Sequence, residues 1–258
     1  MERKEAKNIA IQILLEKNPN ADFYAEIFDS YMSKGFSGNG LENIPIPPIL
    51  FDNVNDNNNQ IFIDEKVYNE LILIQNITRR TNNEIPYFIL GFEQEDGRII
   101  FKEIISDKQQ GYQSTADYDR ISQYVANFLA ELNKNDIQQL GKPIICKGHT
   151  HGAITNVADN YSFGDLIGYI TFKEQIREVV RNYNKNDINP NAIDTVGMLI
   201  NPVGDFNVIY YDENPQRIGF YKFTNIFLRK NNGQVESLPT LSSNGNYIDS
   251  KNFQGRAK

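Results

Sequence analysis

Apolar positions recur along this chain with two different periods, and the switches between the two mark out its elements. Residues 3–17 place Ile9, Ile13 and Leu14 at helical spacing. Residues 22–33 repeat the pattern with Phe23, Ile27, Phe28 and Tyr31, which predicts a small helical hairpin. From Lys34 to Asn59 the periodicity gives way to Gly, Pro, Asn and Asp, which break helices and form turns. Only Ile44 to Phe51 is apolar enough there to lie extended along a larger domain, as a covering strand.

Alternation begins at 61–64, IFID, and a helix over 65–80 follows with Val67, Leu71, Ile74 and Ile77 on one face. PYFILGFE, 86–93, reads as a strand, EDG at 95–97 as a tight turn, and RIIFKEII as the returning strand. A helix over 114–132 carries Ile121, Val125, Phe128 and Leu132, and KPIICKGHTHG is a short β-rich run. After a loop of small and polar residues, Ser162 opens a helix reaching Asn182, with Leu166, Ile170, Ile176 and Val180 facing inward. TVGMLI and FNVIYY, joined by NPVGD, and a last strand over 218–228 close the pattern. This order predicts an α/β fold, a mixed central β-sheet with flanking helices over 60–229. An N-terminal helical arm and linker, 1–59, precede it, and a polar, flexible C-terminal tail, 230–258, follows.

With 258 residues and 40% hydrophobic content the chain can bury a substantial core. Its formal net charge of -7, with both signs interspersed, argues against a nucleic-acid partner, which requires clustered Lys and Arg. The one cysteine, Cys146, excludes an internal disulfide and any Cys-based zinc site, and a reducing, cytoplasmic setting is expected. Cys146 itself reads as a packed strand residue. The N-terminal charges precede a short apolar stretch broken by Gln12, with no small-residue cleavage site, so it reads as an amphipathic helix. No stretch approaches the roughly 18 to 20 apolar residues of a membrane span, and no membrane partner is expected.

Both histidines of the chain fall in one tripeptide, His149, Thr150 and His151, between Gly148 and Gly152. In a strand, residues two apart point to the same face, so two imidazoles so placed can converge on one ion. A catalytic zinc site needs a third protein ligand, and with no other His available a carboxylate is the remaining choice. Asp165 is the best-placed candidate and Asp159, in the preceding loop, the alternative. Ser162-x-x-Asp165 before an apolar run is also a helix capping box, and the two roles are compatible. The same counts exclude amidohydrolase, metallo-β-lactamase and nucleotide-deaminase sites, which need further histidines or a Cys-x-x-Cys.

His-x-His, then Ser-x-x-Asp opening a helix, with Glu84 shortly before the apolar run IPYFIL, resembles the JAMM (MPN-type) zinc metallopeptidases over residues 60–212. The resemblance implies a cytidine-deaminase-like layering and a single Zn2+ held by His149, His151 and Asp165. It implies Glu84 as general base and Ser162 as the hydroxyl that stabilises the oxyanion. The implied reaction is hydrolysis of an isopeptide or peptide bond near the C-terminal tail of a ubiquitin-like protein or another peptide tail. Gly152 replaces the family's usual proline, and the loop up to Ser162 is longer, which bears on specificity. A catalytically silent MPN-type scaffold and a purely structural zinc site are the competing expectations. The Asn-, Ile- and Lys-rich composition with a helical arm also suits a bacterial effector delivered to another cell. No sequence feature indicates an oligomeric state.

Overall fold

The computed structural model of the chain describes residues 3–17, 52–53, 60–108, 111–112, 115–116, 118–152, 161–214 and 218–240. The expected helix at 22–33, the apolar stretch Ile44 to Phe51, Asp159 and residues 241–258 lie outside them.

Ten strands form one mixed sheet among the described residues. Its middle is β3 (Pro86–Glu93), flanked by β4 (Ile99–Ser106) and β7 (Lys142–Thr150), both antiparallel to it. A two-residue pair, β5 (Gly111–Tyr112) with β6 (Thr115–Ala116), stands apart from that sheet. Outward from β7 come β8 (Asp194–Ile200), parallel to it, then β9 (Phe206–Asp212), β10 (Gly219–Phe223) and β1 (Asp52–Asn53). Outward from β4 come β2 (Ile61–Asp64), β11 (Ile226–Arg229) and β12 (Val235–Ser237). The sheet curls, since β10 and β11 stand near opposite ends of the strand order yet are separated by only Thr224 and Asn225. The Phe206 N–H also donates to the Pro239 carbonyl, 2.9 Å away, which ties β9 to the chain just beyond β12.

Helices cover both faces of the sheet, which is why β3 and β7 are buried along nearly their whole length. On one face lies α2 (Glu65–Thr81), whose buried Val67, Leu71 and Ile74 recur at helical spacing and pack on Tyr87, Ile89, Cys146 and Met198. On the other lie α3 (Asp119–Glu131) and α5 (Phe163–Tyr183), packed on Phe88, Leu90 and Ile145. Between them the short α4 (Lys134–Leu140) is opened by a capping box of Asn133 and Asp136. The first helix, α1 (Arg3–Lys17), buries Ala6, Ala10 and Ile13 against Phe163, Leu166 and Ile170. Over these residues the expected arm packs on α5 and shares one of three core clusters with it. No described helix is long and apolar enough to cross a membrane.

Three expectations are corrected, and one short helix was not expected. The helix expected from Ser114 begins at Asp119, because Thr115–Ala116 is drawn into pairing with Gly111–Tyr112 and the apolar stripe itself starts only at Ile121. The α4 helix carries no buried residue and so has no apolar stripe by which to be recognised. The single strand expected over 218–228 is two strands, because the chain leaves the side of β9 after Phe223 and joins β2 at Ile226. The expected tail at 230–240 is a hairpin instead. Gly233 turns it with a φ of 85°, β12 pairs with β11, and Leu238 is buried in the core.

Tyr87 lies directly across from Gly148, and its ring occupies the space a side chain at 148 would need. A Cβ there would also come within 2.7 Å of the Met198 carbonyl oxygen, which belongs to a rigid strand. Gly148→Ala should therefore cost about 1 to 3 kcal/mol of unfolding free energy, as overpacking does, measured by urea denaturation. A variant as stable as the parent would contradict this packing.

Candidate metal centre

The register between β3 and β7 assembles the site. Pro86 pairs with His149, and continuing the antiparallel ladder by two residues sets Glu84 opposite His151. Because side chains alternate, His149 and His151 share the α5 face, while Thr150 between them points to α2. The Thr150 hydroxyl accepts from the Ile85 N–H at 3.1 Å and shares a short hydrogen bond with the Thr78 hydroxyl. The Thr150 N–H donates to the Ile85 carbonyl at 3.2 Å. The residue between the histidines thus clamps the residue beside Glu84. On the other side the His151 N–H donates to the Ile200 carbonyl at 2.9 Å, holding the end of the ladder against β8.

Asp165 enters from the first turn of α5. Ser162 caps this helix, its hydroxyl accepting from the Asp165 N–H at 3.2 Å. Asp165 Oδ2 accepts from the Ser162 N–H at 2.7 Å and from the Ser162 hydroxyl at 2.8 Å. The capping box occupies one carboxylate oxygen, and the other, Oδ1, lies 3.5 Å from His149 Nε2. The proton of the Ser162 hydroxyl is therefore directed at Asp165 in this structure.

Glu84, His149 and His151 meet at a small, buried focus, with Asp165 beside His149. His149 Nε2 and His151 Nε2 are 2.9 Å apart, and Glu84 Oε1 is 3.8 Å from His151 Nε2. Ligand atoms of Glu84, His149 and His151 all lie within 4.8 Å of one another. Zinc–nitrogen bonds of about 2.0 to 2.1 Å at a tetrahedral angle separate ligand atoms by about 3.3 Å, so this donor set fits a small divalent cation. Two imidazole nitrogens and carboxylate oxygens are also the donor types that zinc accepts.

Burial sets the charges. Glu84 is only 5% exposed; burial first, and the nearby Asp165 charge second, push its carboxyl up to about 9. Burial pushes the His149 imidazole down to about 4 against the pull of Asp165, so it is neutral near pH 7, as a metal ligand must be. Burial would raise the Asp165 carboxyl, but the imidazoles and the two Ser162 donors outweigh it and hold it below the ordinary range. The Cys146 thiol lies on the α2 face of the sheet, away from the site, and burial pushes it well up, which suits an inert core residue.

No protein-family model and no curated protein matches this chain.

Two features of the site are invisible to periodicity. The Tyr118 hydroxyl donates to the Gly148 carbonyl at 2.9 Å and stands 3.4 Å from His149 Nδ1, although nothing in its local sequence sets it apart. Asn82, in the left-handed conformation that ends α2, fills the space beside Gly152, so that a Cβ at 152 would lie 3.1 Å from the Asn82 carbonyl oxygen. A larger residue there would have to displace the Asn82 side chain.

The Glu84 shift makes stability depend on pH in the metal-free protein. The unfolded chain releases this proton near 4.5 and the folded one near 9, so the unfolded state holds fewer protons in between and stability falls as pH rises. His149 acts oppositely between about 4 and 6.5, and Lys222, which burial pushes down to about 8, acts oppositely above 8. In the window left between them, chelator-treated protein should lose about 2 kcal/mol of stability, by urea unfolding. Glu84→Gln should flatten that slope, and an unchanged slope in the variant would contradict the assignment.

Proposed function

We propose that this chain is a zinc-dependent hydrolase of amide bonds, with a JAMM/MPN-type layering and His149, His151 and Asp165 as ligands. The observation that supports it most is the pairing of two buried carboxyls with opposite protonation tendencies around two converging imidazoles. Environments that drive two acids apart in this way separate a binding role from a proton-transfer role. Asp165, held ionised, suits a ligand, and Glu84, poised to take up a proton, suits a general base.

Zinc held there would supply Lewis acidity that polarises the scissile carbonyl and acidifies water, and its charge would favour the ionised form of Glu84. Glu84 accepts the proton of the attacking water and passes it to the leaving amine, a role worth roughly 10² to 10⁴ in rate. Rotation of the Ser162 hydroxyl away from Asp165 Oδ2 offers a donor to the developing oxyanion, while the Ser162 N–H still holds Asp165 in place. The substrate class we propose is an extended protein tail, that of a ubiquitin-like protein or another peptide.

One observation favours a second reading. Glu84, not Asp165, completes the mutually close group with both histidines, and as a fourth ligand it would close the coordination shell into a structural site. Zinc content and cleavage of ubiquitin chains and C-terminally extended peptides separate the two. His149→Ala and Asp165→Ala should lose zinc. Glu84→Gln should keep zinc and lose hydrolysis by at least about 100-fold. Loss of zinc from Glu84→Gln would favour the structural reading, and full activity in that variant would remove the general base.

A further inference from the structure

We infer that Tyr118 is a positioning residue that fixes the tautomer of His149, leaving Nε2 free of its proton and turned into the metal centre. This rests on the metal reading above. The Tyr118 hydroxyl has one proton, and it donates that proton to the Gly148 carbonyl at 2.9 Å. What it turns toward His149 Nδ1, 3.4 Å away, is therefore a lone pair, which can only accept. His149 meets it as the Nδ1–H form, and its Nε2 then carries a lone pair toward His151 Nε2 and the focus of the site.

Tyr118 is held rigidly for such a task. Its ring lies against Phe88 with centroids 5.2 Å apart, and the Lys147 ammonium sits 4.5 Å over its face. Phe88 in turn stacks on Phe172 of α5, at 5.5 Å. This packing fixes the hydroxyl oxygen between the Gly148 carbonyl and His149 Nδ1. Partners of this kind orient a ligating imidazole and raise its basicity, and their removal typically costs about 10- to 100-fold in metal affinity.

The test uses Tyr118→Phe, with Tyr87→Phe as its control. Tyr87 also donates its hydroxyl to a strand carbonyl, that of Met198 at 3.2 Å, but on the α2 face away from the histidines. Because the chain has only two histidines, both at the site, nitrogen NMR of the metal-free protein reports their tautomers without ambiguity. The wild type and Tyr87→Phe should show His149 protonated at Nδ1, and Tyr118→Phe should show the Nε2–H form gaining population. Zinc titration against a competing chelator should show Kd raised about 10- to 100-fold in Tyr118→Phe and unchanged in Tyr87→Phe. An unchanged tautomer with zinc affinity within about twofold of wild type would overturn the positioning role alone. An equal loss of affinity in both variants would also overturn it, by exposing a merely structural effect. A wild type that takes up no zinc would overturn the metal reading and this inference with it.

Discussion

The antiparallel register of β3 against β7 is the constraint on which the rest of the site depends. It pairs Pro86 with His149 and so brings Glu84 to 3.8 Å from His151, and the same ladder turns Thr150 to the opposite face, where its hydroxyl locks Ile85 and Thr78. A slip of one residue would turn both imidazoles toward α2 and bring Thr150 to the α5 face. The glycine at 148 guards against such a slip, because the Tyr87 ring fills the space where its side chain would be. Packing and chemistry are specified by the same few pairings.

Onto this ladder α5 adds a second acid, Asp165, beside His149. Its N-terminal amides need acceptors in any case, and the capping box supplies one through Asp165 Oδ2 while leaving Oδ1 aimed at His149. One carboxylate thus caps the helix through one oxygen and faces an imidazole with the other. The site is dry enough that Glu84 would rather be neutral, so its ionised form calls for a neighbouring cation.

Much of this was legible in the residues. The strands Ile61–Asp64 and Pro86–Glu93 and the helix Arg3–Lys17 follow from local apolar patterns, because buried faces leave a period behind them. The two histidines and the Ser162–Asp165 pair stood out by scarcity and spacing. What could not be read was long-range. The curl that carries the chain from β10 to β11 is decided by which edges meet, and α4 is set by a cap without an apolar stripe. Tyr118 reaches His149 only because α3 packs on β3 and β7, and its neighbours in sequence say nothing of that. Leu238 looked like part of a polar tail because Val235 and Leu238, set among polar residues after Asn-Asn-Gly, carry no clear period, yet Leu238 is buried in the core.

The central claim is that imidazole nitrogens and carboxylate oxygens converge here to hold one divalent cation. X-ray absorption at the zinc edge on purified, zinc-loaded protein measures that directly. The account predicts one zinc per chain with two nitrogen ligands at about 2.0 to 2.1 Å, the remainder oxygen. Zinc bound with a single nitrogen or none, or no zinc retained at all, would contradict it.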